Sequence, residues 1–332
     1  MAEKAGVSLS TASRALDPQF NYVTPAVRQR VCEAAQELHY RPDLSARATS
    51  GGTTPLVVIL VSDMQDSSNA DVIHGVMERG SAHDLVVTIA DMDRYVDQTV
   101  RVIRRLRQMK PQALLLAGSR IGTPQAQDAL NAELNLYIDA GGRVVVIGDD
   151  DLAFDSVPVP RKQGAFDLVA SMVDLGYRNA CVITNDNESS TGRSWFEGIC
   201  DGARATGLRI DQAPTPDVLP SRDAGWAAMK DVLASHDVEM DLVIASSDMV
   251  AIGAMSALRD AGYEPGRDIG VAGFGNIVSS SEVLPSLTTV DLCLSQAGEV
   301  AVDLALGVET GKQSEPAVAR VLLRDSTPRI LR

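Results

Sequence analysis

The chain has only four cysteines and four histidines in 332 residues, and aromatic side chains make up 4% of it. Cys32, Cys181, Cys200 and Cys293 are far apart, and each is flanked by apolar residues. This spacing excludes a disulfide framework and predicts reduced core thiols. His39, His74, His83 and His236 show no metal-ligand spacing, so no metal is expected. No apolar run reaches membrane-spanning length; the longest are strand-sized. The start lacks a basic segment followed by a signal-length apolar run, and a cytoplasmic location is expected. Enzyme signatures are missing too. There is no G-x-S-x-G elbow, no G-x-x-x-x-G-K-[ST] loop and no Cys/His pairing by motif, and Gly273-Phe274-Gly275 lacks the full G-x-G-x-x-G pattern. No catalytic residue and no cofactor is assigned.

A composition of 45% hydrophobic and 22% charged residues describes a globular chain, and its length exceeds what one core holds. The net charge is −14, unevenly spread. Residues 1–55 carry six basic and five acidic side chains, and the remainder is strongly acidic. A near-neutral head on an acidic body can still meet DNA, while the body is held off the duplex.

The informative segment is AGVSLSTASRAL, residues 5–16. A short helix over Ala2–Ala5 reaches Gly6, which tolerates the left-handed turn. Ser8 is then the N-cap of a second helix to about Leu16, with Ala12, Ala15 and Leu16 on one face and Leu9, Ser10, Ser13 and Arg14 elsewhere. Two helices around a tight glycine turn, the second exposing small polar groups and an arginine, describe either an αα-corner or a helix-turn-helix that reads DNA. Thr24-Pro25 opens a further helix with Val27, Val31, Ala34, Ala35 and Leu38 as its apolar stripe; His39 marks its end and Tyr40-Arg41-Pro42 stops it.

From Leu56 onward, strands at Leu56–Val61, Leu85–Ala90, Ala113–Ala117, Val144–Ile147, Ala180–Thr184, Leu242–Ser246 and Ile269–Phe274 alternate with helical segments. Strands apolar throughout and separated by helices mean parallel sheets covered on both faces. Seven such units suggest two similar α/β lobes.

Together the AGVS turn, the T-x-S-R helix, the Y-V-T loop at Tyr22-Val23-Thr24 and the Tyr40-Arg41-Pro42 stop resemble the headpiece of the LacI/GalR family of bacterial transcription regulators. The resemblance extends through Asp241–Ala254, Asp268–Phe274, Leu284–Val290 and Leu323–Thr327. It implies a small all-α helix-turn-helix headpiece (1–41), a hinge (42–54) and an effector-binding and dimerisation core (55–332). That core would be α/β: two doubly wound parallel-sheet lobes like periplasmic binding proteins, lobe one about 55–156 and 288–315, lobe two about 157–287 and 316–332. Implied with it are a homodimer on a pseudo-palindromic double-stranded DNA operator, a small-molecule effector (sugar-like or another metabolite) between the lobes, and no membrane partner. Competing readings are an α/β enzyme or a free-standing solute receptor, since such sheets host many functions.

Leu9 and Ser10 match positions that face base edges, and Arg14 matches the family's arginine; arginine binds guanine bidentately and a leucine methyl packs on thymine. Ser8, Thr11 and Ser13 suit phosphate oxygens. In the hinge, Arg47 can enter the minor groove, and Thr49 stands where the family places a leucine wedge. In the cleft, the resemblance brings Asp63 and Asp66 from lobe one, and Arg193, Trp195, Ser247, Asp248, Gly275 and Asn276 from lobe two. Trp195, Ser247 and Gly275 replace the family's Arg, Asn and Asp, the groups that hold sugar hydroxyls. A ligand with an aromatic or apolar face, or weak sugar binding, is expected there. Asp248 is expected to cap its helix while facing the gap.

Arg14→Ala should cost roughly 1–3 kcal/mol of operator affinity and relax preference at one base pair per half-site, whereas Thr11→Ala weakens all sequences alike. Binding-site selection with each variant checks this; unchanged preferences without Arg14 would place the reading face elsewhere.

Overall fold

The computed structural model describes residues 1–332 except 17–21, 41–52, 63, 65–67, 93–95, 119–122, 149–151, 185–188, 215–219, 236–238, 309–316 and 331–332. The chain divides into two compact units, Met1–Thr54 and Pro55–Arg332.

In the first unit, helices Leu9–Leu16 and Pro25–Glu37 bury Ala12, Ala15, Val31 and Ala34 in one cluster with Ala2 and Ala5. Five of these six residues are alanines, so the helices approach closely with little side-chain entropy to lose. Residues 2–6 form a hydrogen-bonded turn rather than the expected helix, closed by Ala5 N–H to Met1 O (3.1 Å). Gly6, at φ +63°, ends it before a helix can propagate past its costly first turn. Leu38 is 48% exposed and lies beyond the helix, outside the apolar stripe expected of it, because His39 at φ +49° turns the chain there.

The second unit holds two parallel sheets. The first runs β2(Val86–Asp91), β1(Thr54–Val61), β3(Pro111–Ala117), β4(Arg143–Ile147), β5(Asp155–Val157), with Leu56 beside Val86 and Ala113 beside Arg143. The second runs β7(Arg209–Pro214), β6(Asn179–Thr184), β8(Leu242–Ala245), β9(Gly270–Ala272). A short antiparallel pair, β10(Thr289–Asp291) and β11(Arg320–Leu322), accompanies them. The seven expected strands all form, each within two residues of its expected bounds, the last closing at Ala272. β5, β7, β10 and β11 were not expected; three are three-residue strands, and edge strand β7 reads RIDQAP, with no apolar run to betray it. Helix Leu294–Leu306 was passed over as well. It buries Ala297, Gly298, Ala301, Val302 and Ala305 against helix Ser68–Ala82, and Arg79 donates to Asp303 across that seam at 2.6 Å.

The thiols depart from expectation. Only Cys181 is a core group, its thiol pushed up to about 12 by burial; Cys200 and Cys293 are half-buried and Cys32 is exposed. An apolar neighbour in sequence points to the opposite face of a strand or another side of a helix, so it does not bury the cysteine beside it. No helix among the described residues is long and apolar enough to cross a membrane.

Helices Arg222–Ala234 and Asp248–Asp260 touch through glycine: a methyl on Gly253 would overlap the Arg222 carbonyl, and one on Gly225 the Val250 carbonyl. Backbone atoms cannot step aside as a side chain can. Gly253→Ala should therefore destabilise the core by roughly 1–3 kcal/mol despite alanine's better helix propensity. Urea unfolding measures it; equal or greater stability would mean that the two helices separate freely.

Candidate DNA-reading helix and effector cleft

The helix Leu9–Leu16 is organised from its first residue. Ser8 Oγ accepts from Thr11 N–H at 3.1 Å, the expected N-cap, and its hydroxyl also meets those of Ser10 (2.9 Å) and Thr11 (2.8 Å). At the other end Arg28 donates to Ala15 O at 3.0 Å, satisfying a carbonyl that the helix itself leaves open. With Ala12 and Ala15 buried, the opposite face presents Leu9 (84% exposed), Ser10, Ser13 and Arg14, all exposed, with Thr11 half-buried. A leucine this exposed adds little to the core, and an exposed arginine about one and a half turns along completes a surface suited to base edges. Arg47 and Thr49 lie outside the described residues.

In the core unit a cavity opens at the carboxyl ends of both sheets. Ala117, Gly118 and Ile147 line it from the first sheet, and Thr184, Ser246 and Phe274 from the second. Parallel strands make this unavoidable: every strand delivers its following loop, and the next helix's N-terminus, to the same edge. Of the residues singled out from sequence, Trp195, Ser247, Asp248 and Gly275 line the cavity together. Arg193 is exposed on helix Ser190–Thr206 and does not line it. Asn276 stands just outside: its N–H donates to Thr289 Oγ1 (3.1 Å) and its Oδ1 accepts from Arg324 (2.8 Å). Asp63 and Asp66 fall outside the described residues.

Asp248 does not have the capping role expected of it. Ser247 is the N-cap, its Oγ accepting from Val250 N–H at 3.3 Å. Asp248 is the first helical residue and is completely buried. One carboxylate oxygen accepts from Thr289 Oγ1 (2.5 Å), the other from Ile277 N–H (2.8 Å), and its own N–H donates to Phe274 O (3.1 Å). Burial outweighs these bonds and the nearby Arg324 charge, raising the carboxyl to about 6. Gly273 must lack a side chain here, since a methyl would overlap the Asp248 carboxylate. Gly275 holds φ +125°, which a β-carbon resists, so this backbone conformation favours glycine here.

Trp195 is 3% exposed and packs edge-on against Phe274, with ring centroids 6.3 Å apart at 75°. Its indole N–H has no hydrogen-bond partner among the described residues. The second tryptophan contrasts: Trp226 donates to Asp260 at 2.8 Å, with the Lys230 ammonium 4.7 Å above its ring. Sequence reasoning missed Arg161, Asn69 and Thr191, which also line the cavity. Arg161 opens the helix just after β5, the three-residue strand that went unseen; locating that strand end would have pointed to it.

Comparison with known proteins agrees in both units. Residues 1–43 match the bacterial regulatory proteins of the lacI family, and residues 169–327 match a periplasmic binding protein-like domain. The transcriptional repressor PurR of Pasteurella multocida is 24% identical over 318 residues, covering 96% of this chain and 93% of its own. The repressor CytR of Escherichia coli K12 is 26% identical over 339 residues, covering 98% and 95%. Among solved structures, the lac repressor dimer bound to operator and an anti-inducer superposes with a TM-score of 0.82 at 20% identity, over 98% of this chain and 97% of that one. A lacI-family regulator from Silicibacter pomeroyi gives 0.78 at 23%, over 99% and 98%. Matched in order at the reading head and through the core, the chain belongs to the lacI family of bacterial regulatory proteins, transcriptional regulators that join a DNA-binding helix-turn-helix to a periplasmic-binding-protein-like effector core.

Proposed function

We propose that this regulator is a repressor acting as a homodimer on a pseudo-palindromic operator, and that a small molecule in the core cavity changes its operator affinity. The observation that carries this reading is the cavity's double lining: residues at the strand ends of both sheets face one space, so a bound molecule touches both. Such a ligand favours whichever arrangement of the two sheets gives it more contacts, and it acts on DNA binding only through that difference in affinity. Leu9, Ser10 and Arg14 read bases, Ser8, Thr11 and Ser13 meet phosphates, and Arg47 and Thr49 contact the minor groove. The effector is held by Trp195, Ser247, Asp248 and Gly275, with Asp63, Asp66, Arg193 and Asn276 completing the site when the cleft closes.

Pairing of two copies is supported by apolar side chains left in water. Val278 is 75% exposed and Leu284 83%, and Val86 and Met77 are each at least half exposed. A dimer presents two reading helices with the two-fold symmetry of a palindromic site. The protein works in the cytoplasm, where bacterial DNA lies, and no catalytic step enters the reading.

Ligand-dependent fluorescence tests the cavity, with Trp226 as internal control. An effector found by operator release or tightening should lose at least tenfold in affinity in Asp248→Ala, and the spectral change should vanish in Trp195→Phe. If both affinity and spectral change survive both substitutions, the effector binds elsewhere.

The Asp248 charge supplies a second check. Its folded pKa of about 6 lies above the ordinary carboxylate value, so the buried charge destabilises the fold fully above pH 6, and the penalty is relieved as pH falls toward 4. Wild type should gain on the order of 3 kcal/mol relative to Asp248→Asn between pH 7 and pH 4. Urea unfolding of the pair across that range measures it, and a constant difference would contradict the assignment.

A further inference from the structure

The densest run of cations in this acidic chain lies away from the cavity, on helix Val96–Gln108 and the short link from it to β3. Residues 101–110 carry Arg101, Arg104, Arg105, Arg107 and Lys110 and no carboxylate. The helix buries its apolar face, including Val100, Ile103 and Leu106, which ranges the cations along the outside. All are exposed except Arg107, which is half-buried. Arg104 (3.0 Å) and Arg107 both donate to Glu133, a buried carboxylate of the adjoining helix Pro124–Asp139. Arg101 and Arg105 form no ion pair among the described residues and, four positions apart on one helix, repel each other. The helix dipole favours cations only in the last turn, which accounts for Arg105 and Arg107 and leaves Arg101 without a folding reason.

Topology sets where this stripe ends. Helix Val96–Gln108 leads into β3, which lies beside β1 in the same parallel sheet. Lys110, just before β3, and Thr54, the first residue of β1, therefore belong to one edge of that sheet, and the chain arriving from the head enters the core there. The head itself is poor in free charge. It has six basic against five acidic residues, Lys4 lies 2.5 Å from Glu37, and Arg28 donates to the Ala15 carbonyl. Affinity for a duplex depends on the phosphates neutralised, so a near-neutral reading head gains from cations placed elsewhere on the chain. We propose that Arg101 and Arg105, with Lys110 beyond them, form a second DNA contact, to phosphates of the duplex flanking the half-site that the head reads. Such a contact adds affinity and salt dependence without reading sequence. Duplex DNA is the occupant because the stripe is the positive exception on an acidic core and ends at the edge from which the DNA-reading head is tethered. The inference rests on the operator reading above.

The test uses the full chain and one operator sequence obtained by binding-site selection, centred in duplexes of about 20 and about 50 base pairs; the shorter holds two half-sites a helical turn apart and little else. Fluorescence anisotropy gives affinities between roughly 50 and 200 mM salt. On the long duplex, Arg101→Gln/Arg105→Gln should flatten the slope of log affinity against log salt by about 1–2, while on the short duplex it should match wild type. Arg209→Gln/Arg329→Gln removes the same charge from exposed positions elsewhere on the core and should change neither slope. Both variants are checked for an unchanged thermal transition. Equal slopes for wild type and the Arg101/Arg105 variant on the long duplex overturn the contact. An equal effect from the control pair also overturns it, reducing it to net charge. Sedimentation without DNA covers a different occupant: a salt-sensitive association of copies that the Arg101/Arg105 variant abolishes gives the stripe to a second copy of the chain and overturns the DNA contact. A selection that yields no preferred sequence overturns the operator reading instead, and salt slopes on random duplexes of the two lengths then test the stripe by itself.

Discussion

A parallel sheet cannot distribute its loops evenly. Each strand must be re-entered from the same end, so all carboxyl ends, the loops that follow them and the next helices' N-termini collect along one edge. In this protein the constraint acts twice, in a five-stranded and a four-stranded sheet, and the two collecting edges share one cavity. The cavity's lining follows from it: short polar N-terminal residues such as Ser68, Ser189 and Ser247, glycines where the backbone turns, and the positive ends of helix dipoles. The apolar remainder, Trp195, Phe274, Ile147 and Leu292, is the top layer of the same core that lies between sheets and helices.

A second constraint joins the cavity wall to the closing strand. Asp248 holds Thr289, which begins β10, and the backbone of Ile277. Arg324, just after β11, bonds Ser280, the Leu287 carbonyl and Asn276, and its backbone N–H donates to Thr288. A carboxylate and a guanidinium are thereby the two ends of one network threading residues 276–289. Removing either leaves several buried polar groups without partners, which is costlier than the loss of a single bond. The position is suited to sensing: a wall residue of the cavity is bonded to the segment that leads back to the other sheet's helices, Leu294–Leu306 among them.

The head unit solves the opposite problem. It is too small for a large core and packs alanines instead, which lets two short helices lie close and leaves the outward face of Leu9–Leu16 free to carry side chains chosen for DNA rather than for folding. The hydroxyls of Ser8, Ser10 and Thr11 stabilise the helix start among themselves, so that surface is ordered without help from Leu9 or Arg14.

What the amino-acid order determined alone is whatever rests on local pattern. The seven apolar strands, the glycine turn at Gly6, the Ser8 cap and the stop at His39 were legible because each depends on residues within a few positions of one another. The short strands β5, β10 and β11 were not legible, since three residues hold no periodicity and the strands exist only because a partner lies alongside. The same reason divides the site. Trp195, Ser247, Asp248 and Gly275 were nameable from motifs, and chain folding does bring them together. Tertiary structure alone decided that Asp248 serves the β10 crossover and not its own helix, that Arg161 lines the cavity while Arg193 does not, and that the Trp195 N–H meets no acceptor among the described residues. Those outcomes depend on which distant backbone atoms arrive within about 3 Å, a distance that hydrogen bonding demands and that no one-dimensional spacing encodes.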